Sequence, residues 1–249
     1  MSTLIDVSHT VEHGMITYKG LPAPIISDHL SREASKAVYE PGTTFHIGKI
    51  EMVANTGTYL DSPFHRYEGG KDLSELPLSS LANLEGVLLT AKGTKQSAKG
   101  EGLLSDWERG RPRPQSSAEE QRAIHASAFE GIDVKGKAVL IHTGWDQYWR
   151  TDKYFEGTHP FLTKEAAQYL ADHGAALVGI DSYNIDDTAD LSRPAHSILL
   201  GAGIPIVEHM CKLDQLPDEG FRFFAVPVKV KGMGTWPVRA FAIVSEARP

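Results

Sequence analysis

Short apolar segments recur along the whole chain, and most of them are four to eight residues long, rich in β-branched residues and bounded by Gly, Pro or Asp. Segments of this length and composition are typical of strands rather than helices. The predicted strands lie at residues 4–7, 45–53, 87–90, 138–142, 177–180, 204–207, 223–230 and 238–244.

One helix is well marked at residues 163–174. Thr163 is a suitable N-cap, alanines and leucines follow at helical spacing, and Gly174 provides a left-handed stop. The helix runs directly into the predicted strand at 177–180, which is typical of α/β proteins. A second helix is predicted within residues 118–129, on a weaker apolar stripe.

The chain has 249 residues, enough for one large α/β domain with a substantial core. We predict a single domain, residues 1–249, interrupted by a polar surface excursion at about 92–121. This segment is rich in Pro, Gly, Ser and charge. Its three arginines, at positions 109, 111 and 113, are best explained as part of a solvated loop.

Charge and composition exclude several classes of partner. The formal net charge is −7, whereas a protein that binds a phosphate backbone usually carries a basic surplus. No apolar run reaches the length of a membrane helix, and the first residues lack the features of a signal peptide. Cys211 is the single cysteine, so there is no disulfide and no cysteine-based metal site. We expect a cytoplasmic protein that binds neither nucleic acid nor membrane.

Residues 55–65, NTGTYLDSPFH, hold the first group of candidate site residues. Pro63 disfavours a helix, so Asp61 and His65 are predicted in extended or irregular backbone after a strand. A carboxylate and an imidazole are suitable ligands for Zn or Mn. Two ligands are too few for a metal site, and a structural hydrogen-bonded pair is the alternative explanation for these two residues.

Residues 193–209, RPAHSILLGAGIPIVEH, hold the second group. Glu208 ends an apolar strand, and a carboxylate there is costly to bury unless a metal, a buried base or an arginine such as Arg239 compensates it. His196, twelve residues earlier, is equally compatible with a structural role.

The four aspartates between residues 181 and 190 do not match a calcium loop, and capping or turn formation accounts for them better. Trp145 follows a predicted strand, where it either walls a pocket or packs in the core. Motifs of serine hydrolases, P-loop proteins, zincins and dinucleotide-binding proteins are absent from the sequence.

Taken together, these segments resemble the cyclase family of metal-dependent hydrolases, which includes bacterial kynurenine formamidase and isatin hydrolase. The blocks that carry the resemblance are IDVSHTVEHGM, TGTYLDSPFH, GKAVLIHTGWD, HPFLTKEAAQYLADHGAALVGIDSYNID, HSILLGAGIPIVEH, LDQLP and GMGTWPVRAFAIV. They occur in order over most of the chain. The implied fold is an α/β, swivelling β/β/α domain, a mixed sheet flanked by helices.

The family's metal motif reads H-x-G-T-H-x-D-x-P-x-H, and Asn55 and Tyr59 replace its first two histidines. An amide and a phenol are weaker ligands for Zn or Mn than imidazole, so one of the family's two metal positions is expected to be lost. The resemblance implies that the other position keeps Asp61, His65 and Glu208 as ligands. It also implies that His196 is the catalytic histidine.

The first hypothesis is therefore a hydrolase that cleaves a C–N bond of a small amide, formamide or cyclic amide with one Zn or Mn ion. In this hypothesis His196 transfers protons and Tyr59 assists the oxyanion, the latter an inference from its position alone. Residues expected close to the substrate or behind the ligands are Asn55, Thr58 and Trp145. The expected partners are a small-molecule substrate and further copies of the chain, as a homodimer or homotetramer.

Two alternatives stay open. A cyclase or dehydratase would polarise a carbonyl without an attacking water, and a substrate profile would distinguish it. A metal-free pseudoenzyme that only binds a small molecule would follow from the two replaced histidines.

Overall fold

A computed structural model of the chain describes residues 2–91 and 121–245. Its strands are β1 (Ser2–Asp6), β2 (Ile25–Leu30), β3 (Ile47–Glu51), β4 (Tyr59–Asp61), β5 (Leu84–Thr90), β6 (Ala123–Ile124), β7 (Ala138–His142), β8 (Phe161–Leu162), β9 (Leu177–Ile180), β10 (Ile206–Glu208), β11 (Glu219–Phe224), β12 (Thr235–Pro237) and β13 (Phe241–Ser245). The α-helices in this part of the chain are α1 (Arg32–Ser35), α2 (Lys164–Asp172) and α3 (Pro194–Gly201).

Nine of these strands form one mixed sheet in the order β1-β13-β11-β5-β7-β9-β10-β4-β12. Its centre, β5 to β10, is parallel, whereas both flanks are antiparallel. Parallel strands are normally covered on both faces, and β7 agrees with this rule, since its first four residues are buried. Leu140 points into one apolar core, while Val139 and Ile141 point into the other core, against α2 and α3.

The α/β fold class predicted from the sequence is confirmed, and so are most of the predicted elements. The strands at 138–142 and 177–180 have the predicted bounds. The predicted helix is α2, in which Thr163 Oγ accepts a hydrogen bond from Ala166 N and Gly174 takes a positive φ of 74°. No described helix is long and apolar enough to cross a membrane.

Three sequence predictions about secondary structure are wrong in the described residues. Residues 121–129 form β6 and a 3-10 turn (Ala126–Phe129) instead of a helix, because Ala123 and Ile124 pair in parallel with β8. The strand predicted at 223–230 is β11, which ends at Phe224. The segment at 238–244 is divided between loop and β13.

The predicted excursion at 92–121 lies outside the described residues, except for its last residue. The three arginines at 109, 111 and 113 lie there as well.

A small antiparallel ribbon of β2 and β3 stands apart from the main sheet. All but one of its eleven strand residues are exposed.

Candidate metal centre

The centre of the site is β4, which lies between β10 and β12. Tyr59 and Asp61 are two residues apart on this strand, so their side chains share one face of the sheet. The register places Glu208 opposite Tyr59 and Thr235 opposite Asp61. Strand pairing alone therefore brings together four polar side chains that are far apart in the sequence.

Each of these cross-strand pairs is hydrogen-bonded. The Tyr59 hydroxyl donates to Glu208 Oε2 at 2.7 Å, and the Thr235 hydroxyl donates to Asp61 Oδ1. All four side chains are buried, with at most 3% exposure. The second oxygen of Asp61, Oδ2, is also buried and accepts no hydrogen bond from the described residues. A buried carboxylate oxygen without a partner is costly, and a cation would remove that cost.

His196 reaches the same face from α3. Its Nε2 lies 3.8 Å from Asp61 Oδ2 and 3.7 Å from Glu208 Oε1, and its Nδ1 lies 2.6 Å from Asp186 Oδ2. His196 lies in the first turn of α3 and is buried. Burial lowers the pKa of His196, but Glu208, Asp186 and Asp61 outweigh burial and raise it to about 10.

Asp186 is the orienting group for His196, and the sequence analysis assigned it only a capping or turn role. It does cap α3, because its two oxygens accept hydrogen bonds from Ala195 N and His196 N. The same carboxylate also fixes the imidazole through Nδ1. Histidines that ligate a metal usually have their other ring nitrogen held in this way. The sequence signal, an aspartate ten residues before a histidine, is too unspecific to reveal this contact.

His65 stands at the solvent side of the group, on a 3-10 turn, Pro63–His65. Pro63 is the first residue of that turn, so it starts a short helical turn where the sequence analysis predicted irregular or extended backbone. His65 Nδ1 lies 2.9 Å from Thr235 Oγ1. Since the Thr235 proton goes to Asp61, Nδ1 must donate to Thr235, which leaves the His65 Nε2 lone pair free.

Glu208 is held on both oxygens, Oε2 by Tyr59 and Oε1 by the backbone N–H of Ile185 at 2.7 Å. Burial raises its pKa, against the opposing effect of His196. Arg239, offered by the sequence as a possible partner, is instead bonded to Asp6 at 2.9 Å. In the described residues, His196 is thus the group that could balance the charge of Glu208 in the absence of a metal.

Tyr59 was predicted to assist the oxyanion, and its contacts give it a different task. Its hydroxyl is committed to Glu208, and it also lies 3.0 Å from the hydroxyl of Tyr18. Asn184 donates to that second hydroxyl at 3.0 Å. Burial and the neighbouring Glu208 raise the pKa of Tyr59 well above its ordinary value. Tyr59 therefore stays neutral and holds Glu208 in place.

The three remaining predicted site residues differ in whether they line the cavity. Asn55 lines the cavity beside His65 and His196. Thr58 is buried behind the site, where its hydroxyl donates to the backbone oxygen of His209. Trp145 is also buried and donates from Nε1 to Tyr154 O at 3.3 Å; it does not line this cavity. Of the three, Asn55 alone is positioned to contact a substrate.

The described residues contain one group of three side chains that could hold a metal with all ligand atoms within 4.8 Å of one another, namely Asp61, His65 and His196. One carboxylate and two imidazoles are a suitable donor set for a catalytic Zn or Mn. The cavity above the group measures about 250 Å³, which suits a small molecule. The residues present therefore fit a divalent metal ion.

Comparison with known protein sequences identifies the family. Residues 5–187 match the sequence profile of the family described as "Putative cyclase". The chain is 27% identical to a kynurenine formamidase of Geobacillus thermodenitrificans over 78% of each chain. It is 24% identical to a kynurenine formamidase of Bacillus cereus over 96% of each chain.

Solved structures show the same fold. An isatin hydrolase bound to the product analogue thioisatinate superposes with a TM-score of 0.73 at 18% identity, covering 98% of this chain and 93% of that chain. A structure described as a potential metal-dependent hydrolase with cyclase activity gives a TM-score of 0.72 at 24% identity, covering 99% and 100%. The chain therefore belongs to the cyclase family and is an enzyme of the hydrolase class.

Proposed function

We propose that this enzyme cleaves a C–N bond of a small amide, formamide or cyclic amide, with one divalent ion, Zn or Mn, at the site on β4. One observation supports it most. Two buried carboxylate oxygens, Asp61 Oδ2 and Glu208 Oε1, lie 3.8 and 3.7 Å from His196 Nε2. Relatives named kynurenine formamidase and isatin hydrolase support the amide class.

The ligand atoms of Asp61, His65 and His196 lie within 4.8 Å of one another, but Glu208 Oε1 also lies 3.7 Å from His196 Nε2. We propose Asp61, His196 and Glu208 as the residues that hold the metal. These three are buried, whereas His65 is exposed to the cavity. The family resemblance implied a different division of roles, with His65 as ligand and His196 as the catalytic histidine. When bound, such an ion would polarise a carbonyl and lower the pKa of a bound water towards about 7.

His65 is then the proton-transfer group. Its Nδ1 is held by Thr235, so Nε2 carries the free lone pair and faces the cavity side. It accepts a proton from the attacking water and delivers it to the leaving nitrogen, which completes amide cleavage. Asp186 keeps His196 oriented, and Tyr59 keeps Glu208 oriented. Asn55, which lines the cavity, is available to bind the substrate.

Asn55 and Tyr59 stand at the positions of the family motif's first two histidines, and the Tyr59 hydroxyl is bonded to Glu208. We accordingly propose that the family's second metal position is lost. We also propose a cytoplasmic location and a homodimer or homotetramer. The exposed apolar ribbon of β2 and β3 supports the oligomer, because a two-stranded sheet is marginally stable by itself.

Metal content per chain tests the proposal, measured by mass spectrometry on protein purified without chelator or His-tag. We expect about one equivalent of Zn or Mn in the natural enzyme and none in His196→Ala. His65→Ala should keep the metal and lose roughly a hundredfold or more in turnover of a formamide. His173→Ala, a change on an exposed histidine of the α2 C-terminus, is the control.

The reverse result, with metal lost in His65→Ala and kept in His196→Ala, would establish the ligand set predicted from the sequence. Natural enzyme that binds no metal after reconstitution would overturn metal-dependent hydrolysis and favour the pseudoenzyme. Ring closure or dehydration without amide cleavage would favour the cyclase.

A further inference from the structure

Two arginines, Arg66 and Arg193, line the same cavity as His65 and His196. Arg66 directly follows His65 on the 3-10 turn, and Arg193 is the N-cap residue of α3, three positions before His196. Both guanidinium groups are therefore carried by the backbone segments that carry the histidines of the site. Any molecule bound over those histidines lies within reach of positive charge.

Neither arginine is paired with a carboxylate in the described part of the chain. Arg66 Nε donates to Ser197 Oγ at 3.1 Å, and Arg193 Nη1 donates to the backbone oxygen of Asp187 at 2.9 Å. Other arginines of the described chain do form ion pairs, at 2.8–3.5 Å: Arg122 with Asp187, Arg150 with Glu12, and Arg239 with Asp6.

The anchoring bonds leave donors free. A guanidinium has five N–H groups, and one nitrogen of each arginine makes the bond just described. Asp190 lies near Arg193, but its carboxylate accepts a hydrogen bond from Ser192 Oγ and forms no described ion pair with Arg193. Two anchored guanidinium groups with spare donors match the geometry of a carboxylate or another oxyanion.

The backbone conformation at Arg193 is unusual for an arginine. Its φ of 50° and ψ of 61° are left-handed, a conformation that is unfavourable for a residue other than Gly, Asn or Asp. Pro194 follows and disfavours the right-handed alternative. This backbone places Arg193 at the start of α3, beside the loop that holds Asp186.

Charge is thus segregated within one cavity. The buried Glu208 and His196 line the cavity, with the buried Asp61 3.8 Å from His196 Nε2, whereas Arg66 and Arg193 line it with more exposed side chains. A substrate with a neutral amide at one end and a negative group at the other end would match both regions. A neutral substrate would leave the two guanidinium groups unused.

We propose that Arg66 and Arg193 form an anion subsite, and that the substrate is a small amide carrying a carboxylate apart from the bond that is cleaved. This inference rests on the proposed amide hydrolysis and adds to it the class of substrate.

The test compares two isosteric formamides that differ in charge, 3-formamidobenzoate and 3-formamidobenzamide. We expect the natural enzyme to favour the anion in kcat/KM by about tenfold or more, as charge-assisted hydrogen bonds would give. Arg66→Gln and Arg193→Gln should each remove most of that preference through KM, and Arg193→Lys should restore part of it. Arg222→Gln is the matched control, since Arg222 also donates to a backbone oxygen, that of Asn83, but lies outside the cavity.

Isothermal titration calorimetry with benzoate and benzamide separates this proposal from the proposed function. We expect benzoate to bind the natural enzyme at least tenfold more tightly than the double variant Arg66→Gln/Arg193→Gln, with benzamide unaffected. That result without turnover of either formamide would overturn amide hydrolysis and keep the anion subsite.

The subsite is overturned if the natural enzyme shows no charge preference, or if the preference and the benzoate affinity persist in the double variant. Circular dichroism and metal content verify that each variant is folded. If Arg193→Gln fails to fold, Arg66→Gln tests the subsite by itself, because Arg66 lies on an exposed turn.

Discussion

The site around β4 and the ribbon of β2 and β3 are both made of short paired strands, yet their surroundings are opposite. Every residue of β4 is buried, and both strands beside it contribute side chains that bond to it. The ribbon is exposed on both strands, and its isoleucines at 25, 26, 47 and 50 are 44–50% exposed. Strand pairing therefore fixes a geometry in the first case and leaves an apolar surface in the second.

The difference shows what a cyclase-family site depends on. Strand register, hydrogen bonds and the packing of α3 each fix the positions of the side chains in the site. The ribbon has its own register and a hydrogen bond from Ile26 N to His13 Nδ1, but its isoleucines stay exposed in the described chain, and apolar surface of this kind usually marks a contact with another molecule. Changes to the site should therefore affect chemistry, whereas changes to the ribbon should affect assembly and leave the chemistry intact.

Among changes to residues that support the site or form the ribbon, the largest effect is expected for Asp186→Asn. The amide cannot match the carboxylate that accepts from His196 Nδ1 and from two backbone N–H groups. Loss of such a supporting partner typically costs 10- to 100-fold in metal affinity or activity. We expect a fall in this range for both, measured by metal titration and formamide turnover. Asp187→Asn, at the adjacent position, is the control, and equal losses in the two variants would contradict the orienting role.

An intermediate effect is expected for Gly234→Ala. An added Cβ would lie 2.5 Å from His65 N and 2.6 Å from His65 Cα, and Gly234 O also accepts from Ser62 N. The main chains would have to separate, which would displace His65 relative to the adjacent Thr235. We expect a loss of about 1–3 kcal/mol in the free energy of unfolding, with a larger loss of turnover than of metal.

Gly69→Ala provides the matched control, since a Cβ there meets nothing within 4 Å. Chemical denaturation and turnover of both variants check the prediction. Natural stability and turnover in Gly234→Ala would show that the close approach of the two segments is dispensable.

The smallest effect on the site is expected for Ile50→Glu on the ribbon. Ile50 pairs with Ile26 in the β2–β3 register, and both are exposed in one copy of the chain. A buried charge at a contact between copies is unfavourable, so we expect a smaller assembly by light scattering with unchanged metal content. Leu78→Glu, at a leucine that is 67% exposed elsewhere, should leave the assembly unchanged. A monomeric natural enzyme would contradict the oligomer.

Local sequence signals predicted the parts of the fold whose cause is local. Thr163 and Gly174 delimit α2 because a cap and a left-handed stop act within a few residues. The strand at 138–142 was recognisable because a fully buried strand is apolar throughout. At 121–129 local propensity failed, since pairing with β8, some forty residues away in the chain, overrides it.

The candidate site shows the same division. The sequence indicated Asp61, His65, His196 and Glu208 through residue type and family resemblance, because these are the residues whose chemistry is distinctive. It did not indicate Thr235, which lies 174 residues after Asp61, nor Asp186 as the partner of the imidazole. Threonine and aspartate occur in many roles, and only their surroundings distinguish an orienting residue from a cap.

The sequence by itself determined the α/β class, the family and the residue types able to hold a divalent ion. The tertiary structure decided which of them face one another, because register and helix packing set distances that spacing along the chain does not encode. It placed His196 between two buried carboxylates and His65 at the cavity side, and it committed the Tyr59 hydroxyl to Glu208. The proposed ligand and proton-transfer roles rest on burial and hydrogen-bond partners, and both are properties of the folded chain.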